Sequence, residues 1–430
     1  VFRFHDSNGD GELDEQTVCA KGLRNALSMV VTDEGRLFVL QMKSILVMDD
    51  RDGDGQYESR ETLLTIRTDN NNHHGVFLAL ARDNRAQLYV TLGNIGGNAY
   101  EMKGADGERI AGQGDTGLIV RIGDDGAGLT RYAHGFWNPC DLKFDTSGRL
   151  LATDNDPDAR GPNRVLHIIR GGRYGYKARY GGSGLHPYDA WNGELPGTLP
   201  MLAGVGEAPV GLLDCNACSL PVDYAGNLLV AVWGTKQVVR VTTTRGGLSL
   251  SGSVTPLIIG DAGFRPTGMT ATSDGTVYIA DWADRRYPVH GKGRVWRLRS
   301  KSGVRSLAPN KPFAVTDESQ ELLSSMSEGK SGESFESLFE RARNDDPFQA
   351  SAAVNALAKS ENVARLLNIL DESDREKDRL VALLALRQGG TELQQVRLVR
   401  LLRDPSAEVR QMAMLWIGES HRWDLADDLA

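Results

Sequence analysis

One unit recurs along the first 300 residues: an apolar strand, a turn bearing Asp or Gly, and a second apolar strand. It reads "VVTDEGRLFVL" (30–40), "LARDNRAQLYV" (80–90), "LKFDTSGRLLA" (142–152), "VDYAGNLLVA" (222–231) and "TATSDGTVYIA" (270–280). The first apolar residue after each turn is Leu37, Leu88, Leu150, Leu228 and Val277, at steps of 51, 62, 78 and 49. Further strand candidates follow each copy: "SILVMDD", "GLIVRIGDDG", "NRVLHIIRGG", "KQVVRVTTT" and "GRVWRLRS". A repeat of about 50 residues carrying about four strands is the signature of a propeller blade. Longer steps mark insertions, as in 170–209. Five blades are expected in full. Residues 1–22 match 45–66, so the chain is expected to enter a sixth blade halfway, giving a six-bladed-type β-propeller truncated at its N-terminus over 1–300.

The match between 1–22 and 45–66 is carried by "HDSNGDGELDEQ" (5–16) and "DDRDGDGQYESR" (49–60), which share D-x-(D/N)-G-D-G. Calcium takes roughly six to eight oxygen ligands, and short carboxylates alternating round a Gly turn supply them. Asp6, Asn8 and Asp10 fill the first ligand positions of one loop, and Asp50, Asp52 and Asp54 those of the other, with Glu12 and Gln56 following. Glu61 stands at the twelfth position of the second loop as a bidentate candidate. Thr17 stands there in the first, so Asp14 would complete that shell. The alternative is a plain acidic turn. Flanking helices would make an EF-hand, but "RLFVLQMKSILVMD" and "RETLLTI" read as strands. These are loops joining β-strands.

The net charge of −8, from 49 basic and 57 acidic residues, argues against a nucleic-acid partner. No run of about 18 apolar residues is present, so a membrane span is not expected. Of Cys19, Cys140, Cys215 and Cys218, only "CNAC" pairs closely. Ser219 follows it, which excludes a C-x-x-C-H haem site. A loop with two thiols or a local disulfide remains.

From about residue 335 Ala, Leu, Arg and Glu take over. "DPFQASAAVNALAKS", "DREKDRLVALLALRQGG" and "DPSAEVRQMAMLWIGES" are amphipathic helices, and Val409, Ala413, Trp416 and Ile417 fall on one face of the last. Similar helices recur about every 30 residues, which predicts a HEAT-like α-solenoid over 335–430. Residues 301–334 read as a linker. The fold class is therefore mainly β plus α.

"HGFWNPCDLKFDTSGRLLATDNDPDARGPNRVLHIIRGGRYGY" (134–176) resembles the soluble quinoprotein sugar dehydrogenases of the glucose, sorbosone and aldose type. Their motif runs G-x-R-N-P, strand, turn, strand, then G-P-N and G-G-x-Y-G. "WNGELPGTLPMLAGVGEAP" and "DWADRRYPVHGKGRVWRL" resemble the planctomycete-type propeller–HEAT proteins labelled membrane-bound dehydrogenases, which commonly end in a c-type haem domain. The resemblance implies bound Ca2+ and pyrroloquinoline quinone, a sugar or polyol substrate, and a periplasmic or extracytoplasmic location. "NNHHGVFLAL" occupies the place of the general-base segment, so His74 or His73 would take the proton from a sugar hydroxyl. Asn138 matches the cofactor-contacting Asn, and Gly161 and Pro162 match the segment whose carbonyls hold the catalytic calcium. The Arg of the motif is Trp137 here, and an indole cannot pair with an acidic quinone.

Each of these residues has a plainer reading. His73 and His74 also read as a hydrogen-bonded loop. Asp154, Asp156 and Asp158 read as metal ligands, sugar-hydroxyl acceptors or strand caps. Arg285, Arg286, His290 and Lys292 line a cofactor-binding mouth or form a solvated basic loop. Trp191 and Trp282 are sugar platforms or core. Two functions follow: a calcium-dependent quinoprotein-type sugar or alcohol dehydrogenase module, or a non-catalytic calcium-stabilised module binding carbohydrate or a protein.

Overall fold

The computed structural model of the chain describes residues 1–69, 76–156, 162–178, 190–286, 289–300, 311–313, 317–422 and 424–425. Strands β1 (Phe2–His5) and β2 (Glu15–Val18) form a hairpin. A first sheet follows from β3 (Ala26–Val31), β4 (Leu37–Gln41), β5 (Ser44–Asp49) and β6 (Ser59–Thr68), each antiparallel to the next. Strands β7 (Phe77–Arg82) and β8 (Gln87–Leu92) begin a second sheet. The hairpin of β9 (Ala99–Gly104) and β10 (Arg109–Gln113) leaves it and pairs β9 with β6, widening the first sheet to six strands. Strands β11 (Gly117–Gly123) and β12 (Thr130–Phe136) complete the second sheet.

The third sheet is β13 (Asn138–Phe144), β14 (Leu150–Asn155), β15 (Asn163–Ile168) and β16 (Ala203–Val205). The fourth is β17 (Pro209–Asp214), β18 (Leu228–Val232), β19 (Gln237–Gly246) and β20 (Ser249–Ile259). The fifth is β21 (Pro266–Ala271), β22 (Val277–Asp281) and β23 (Arg294–Leu298). Five complete four-stranded units were expected, and the fifth has three strands among the described residues.

The five markers of the repeat all sit at the start of a second strand and are all buried. The turn before each needs one residue in the left-handed region, and Gly35, Gly148, Gly226 and Gly275 supply it at φ between +74° and +84°. In the second sheet Ala86 holds that conformation at φ +60°. Its turn is tied by Asp83, whose Oδ1 accepts from the N–H groups of Arg85 and Gln87 at 2.8 Å. Each first strand also carries a register shift near its start, at Ala26, Phe77, Pro139, Pro209 and Pro266. A bulge turns the strand and raises its twist.

First strands of successive sheets pack side by side: β3 on β7, β7 on β13, β13 on β17 and β17 on β21. Among the described residues β21 and β3, at the two ends of this series, make no contact of that extent. The β1–β2 hairpin touches both end sheets. On one side Tyr57 N–H donates to the Cys19 carbonyl at 2.9 Å. On the other the Tyr278 hydroxyl donates to the Gly11 carbonyl at 3.3 Å, and Arg297 donates to the Asp10 carbonyl.

The helices are α1 (Glu318–Ser327), α2 (Phe335–Ala342), α3 (Pro347–Leu357), α4 (Val363–Glu372), α5 (Glu376–Gln388), α6 (Gln395–Leu402) and α7 (Ala407–Glu419). They pair as α2–α3, α4–α5 and α6–α7, and α3, α5 and α7 stack in turn. Each pair buries one continuous apolar core with the next. The segment read as a linker differs from expectation: Asp317 caps α1 by accepting from Ser319 and Gln320 N–H groups. The apolar side of α1, Leu323 and Met326, then enters a core shared with sheet residues Ile119, Leu166 and Tyr174 and with Phe348 of α3. Among the described residues no helix is long and apolar enough to cross a membrane.

Candidate functional site

The two D-x-(D/N)-G-D-G loops have one geometry. In the second, Asp50 accepts from Gly53 and Gly55 N–H at 2.8 and 2.9 Å, Asp52 from Asp54 and Asp54 from Gln56. In the first, Asp6 accepts from Gly9 and Gly11, Asn8 from Asp10 and Asp10 from Glu12. The ninth position closes both. Ser7 N–H donates to Asp14, and Arg51 N–H donates to Glu58.

Asp50, Asp52, Asp54 and Glu58 bring one oxygen each within 4.8 Å of one another. Glu61 does not join them. It lies in β6 opposite Val47, two residues inside a ladder that begins at Ser59, so its direction is set by the pleat. The residue at the ligand cluster is Glu58, which the twelve-residue helix–loop–helix spacing could not reveal. Strand geometry begins before position twelve.

The second cluster of expected residues lies at the end of the sheets where the first strands start. His73, His74 and Gly161 lie outside the described residues. Asn138 opens β13 and is buried, and its N–H donates to Asp154 Oδ1 at 2.9 Å. Trp137, in the motif's Arg position, sets its ring edge-on to Tyr176 at 5.1 Å. The Pro162 carbonyl accepts from Trp191 Nε1 at 2.8 Å.

Asp154 is engaged by protein donors. Arg164 Nε and Nη2 donate to its Oδ2 at 3.0 and 2.8 Å, and both side chains are fully buried. The remaining guanidinium donors go to the carbonyls of Tyr174, Trp191 and Gly135. The Trp191 ring covers the guanidinium at 3.7 Å, which makes Trp191 core rather than platform. Burial raises the Asp154 carboxyl to about 6, and the Arg164 charge opposes the rise.

The fifth sheet repeats this device. Arg265, also preceding a Pro, donates its N–H to Asp281 Oδ1 at 2.7 Å, and Arg294 Nε and Nη2 donate to Asp281 Oδ2 at 3.1 and 2.7 Å. The registers match, with Asp154 opposite Arg164 and Asp281 opposite Arg294. Neither pair was expected from sequence. The available signal is an Asp closing the second strand and an Arg in "GPNRV" and "GKGRV" opening the third.

Arg265 also brings a guanidinium to this end. Its Nη1 donates to the carbonyls of Trp233 and Gly234 at 3.2 and 3.3 Å, while its buried Nε has no hydrogen-bond partner. Arg286 pairs with Asp284 inside its own loop at 2.9 Å, and that pairing holds the Asp284 carboxyl well below the usual range. Arg285 is exposed. The loop is closed by Trp282, whose Nε1 donates to the Arg286 carbonyl and whose ring meets His290 at 4.7 Å. The basic loop thus satisfies itself. All four cysteines are free thiols, and burial pushes the Cys218 thiol up to about 12.

A family model described as a domain of unknown function (DUF7133) matches residues 1–169. No curated protein matches the chain. Among solved structures, the chain is similar to the PQQ-bound form of aldose sugar dehydrogenase from Streptomyces coelicolor. Identity there is 16% and the TM-score 0.38, over 65% of this chain and 96% of the other. It is similar to the soluble aldose sugar dehydrogenase of Escherichia coli in its apo-form, at 18% identity and a TM-score of 0.42, over 59% of this chain and 73% of that one. It is also similar to the PQQ domain of pyranose dehydrogenase from Coprinopsis cinerea, at 13% identity and a TM-score of 0.43, over 64% and 84%.

Proposed function

We propose that the chain is a calcium-dependent quinoprotein-type sugar or alcohol dehydrogenase module, built as a six-bladed-type β-propeller followed by a HEAT-like solenoid. The hairpin bridging both end sheets supports the sixth blade, and the stacked helix pairs support the solenoid. The observation that carries the function is the orphaned Nε of Arg265, a buried donor at the same strand position as Asn138. A buried unpaired donor costs about 1–3 kcal/mol, and an acidic ligand group at this end of the sheets would satisfy it.

The residues present thus fit a pyrroloquinoline quinone with Arg265 in place of the motif's missing Arg. Asn138 and Arg265 would hold the cofactor, and bound quinone supplies the two-electron acceptor. His74, or His73, would take the hydroxyl proton of a sugar or polyol, because an imidazole accepts a proton near neutrality. The electron partner would be a c-type haem domain, and an extracytoplasmic location suits loops that bind calcium at millimolar levels.

A second reading, a non-catalytic module binding carbohydrate or protein, is favoured by one observation. Arg164, the guanidinium beside Asn138, has every donor engaged and none left for a cofactor. Titration with calcium and pyrroloquinoline quinone separates the two. The dehydrogenase reading expects a visible absorption band and dye reduction with an aldose or alcohol. Dye reduction should fall by about 10²–10⁴ in rate in His74→Ala with the band kept, and the band should weaken in Arg265→Ala. No band in the parent protein leaves the binding module.

Calcium is tested separately by equilibrium dialysis. Glu58→Gln should weaken binding by about tenfold or more, since even outer-shell losses cost that much. Glu61→Gln should leave it unchanged. Asn8→Ala should cost less than Asp52→Ala, which removes a carboxylate.

A further inference from the structure

A cleft of about 760 Å3 lies between the second and third sheets and the helices. One wall is the turn "RGGR" (170–173), held rigidly by hydrogen bonds. Gly171 N–H donates to the Tyr132 carbonyl at 2.7 Å. The Gln388 amide donates to the Gly171 carbonyl at 3.3 Å and to Asn355 at 3.1 Å, and accepts from Arg173 Nε at 2.9 Å. Gly171 sits at φ +76°, and an added Cβ would lie 2.2 Å from Asn355 Oδ1, so the turn is pressed against α3.

The lining is cationic beyond what its carboxylates neutralise. Glu328 is already paired with Arg121 and Lys330, and Glu419 with Arg387 and Lys177. The third carboxylate, Asp115, meets Lys177 at 3.8 Å, and among the described residues Arg131, Arg170 and Lys359 form no ion pair, Arg170 acting on Glu328 only at longer range. Arg131 donates to the Ala111 carbonyl at 2.7 Å, Lys359 to the Gly329 carbonyl at 3.4 Å, and Arg170 makes no hydrogen bond. Arg173, Arg387 and Lys177 act besides on two groups of the lining. Burial, with Arg173 adding to it, pushes the His134 imidazole down to about 3. Burial would raise Glu419, but Arg387, Arg173 and Lys177 hold it at about 2.

We propose that this cleft binds a doubly charged oxyanion, a phosphate or sulfate group, with Arg170 as its principal contact. Three uncompensated cations call for a dianion rather than a single carboxylate, and guanidinium donors match its oxygens. The ligand class is independent of the quinone, because the cleft lies at the helix junction and not where the first strands start.

Isothermal titration calorimetry at low ionic strength, with sodium phosphate, glucose 6-phosphate and glucose as probes, tests it. One saturable site for phosphate or glucose 6-phosphate is expected, with none for glucose. The ratio of the two affinities tells whether the free anion or the ester is preferred. Arg170→Ala should weaken binding about tenfold or more, while Lys21→Ala, an equal charge change outside the cleft, should not. Arg170 has no hydrogen bond to lose, so a parent-like melting temperature confirms that this variant is folded. The proposal is overturned if neither anion saturates, if glucose binds as well as its phosphate, or if the two variants weaken binding equally.

Discussion

The third and fifth sheets carry the same charged pair in different surroundings. In the third, Asp154 and Arg164 are both fully buried; in the fifth, Asp281 is buried but Arg294 is 44% exposed. The contrast runs along the whole third strand. Every residue of β15 is buried, whereas β23 reads exposed to intermediate throughout. Register places His167 of β15 level with Arg297 of β23. His167 is covered by α1 and α3, through a bond of its Nε2 with Gln320 at 3.1 Å and a stacked Phe348 ring at 4.9 Å. Arg297 donates to the carbonyl of Asp10 and its guanidinium lies against Gly11. One repeat sequence thus yields either a core strand or a surface strand, and what decides is the helical layer supplied by distant sequence.

The sharpest way to break this comparison is to remove Arg164. Asp154 would keep Asn138 N–H at 2.9 Å and a longer contact from Trp137 N–H at 3.4 Å, with no access to water. The carbonyls of Gly135, Tyr174 and Trp191 would each lose a donor. Removing one partner of a buried pair costs about 3–5 kcal/mol. Arg164→Ala should therefore lower the unfolding free energy from urea titration by an amount of that order, and high salt should not restore it. A loss under about 1 kcal/mol would show that burial does not separate the two pairs.

His167 gives the same contrast through pH. Its Nδ1 is buried without a partner, and burial pushes the imidazole down to about 4, with Gln320, Arg149, Asp317 and Arg245 adding smaller effects. The folded pKa is below the ordinary 6.5, so the unfolded chain binds more protons between these values. Stability from this group is fully present above about pH 6.5 and lost as pH falls toward 4. The full amplitude is roughly 3 kcal/mol at about 1.36 kcal/mol per pH unit. Chemical unfolding at a series of pH values should show that loss in the parent and a smaller loss in His167→Gln, where His134, also pushed down by burial, still contributes. Glu419, held at about 2, weakens only below about pH 4.5, so the two windows are distinct. Arg297→Gln should leave the profile between pH 6.5 and 4 unchanged.

Local pattern made most of the strand order legible. Leu37, Leu88, Leu150, Leu228 and Val277 mark second strands because an apolar run after a tight turn needs no distant partner to be recognised. Helices α3, α5 and α7 were legible from their periodicity, while α1, α2, α4 and α6 were not, being short and flanked by Ser, Lys and Glu. The transfer of β9–β10 to the first sheet is a pairing choice between β6 and β8 that no local pattern encodes. At the candidate site the same limit applies. Asp154 stayed open between ligand and strand cap because its partner Arg164 arrives across a ladder, and Glu61 was expected where Glu58 meets the acidic cluster because strand β6 starts inside the loop motif.

The smallest effect is expected at Arg294. Asp281 would not be stranded without it, since Arg265 N–H, Ala283 N–H and Trp296 Nε1 remain on its oxygens at 2.7, 2.8 and 2.9 Å. The guanidinium is partly in solvent, so its attraction to Asp281 is screened, and its stacking near Trp296 at 4.9 Å is weak at that exposure. Exposed pairs are worth about 0–1 kcal/mol. Arg294→Ala should lower the unfolding free energy from urea titration by no more than that, and the difference from the parent should shrink further in about 1 M salt, where the screening length falls to about 3 Å. A salt-independent loss as large as that of Arg164→Ala would mean that β23 is covered in solution, and the difference between the two sheets would then lie in what packs on them and not in exposure.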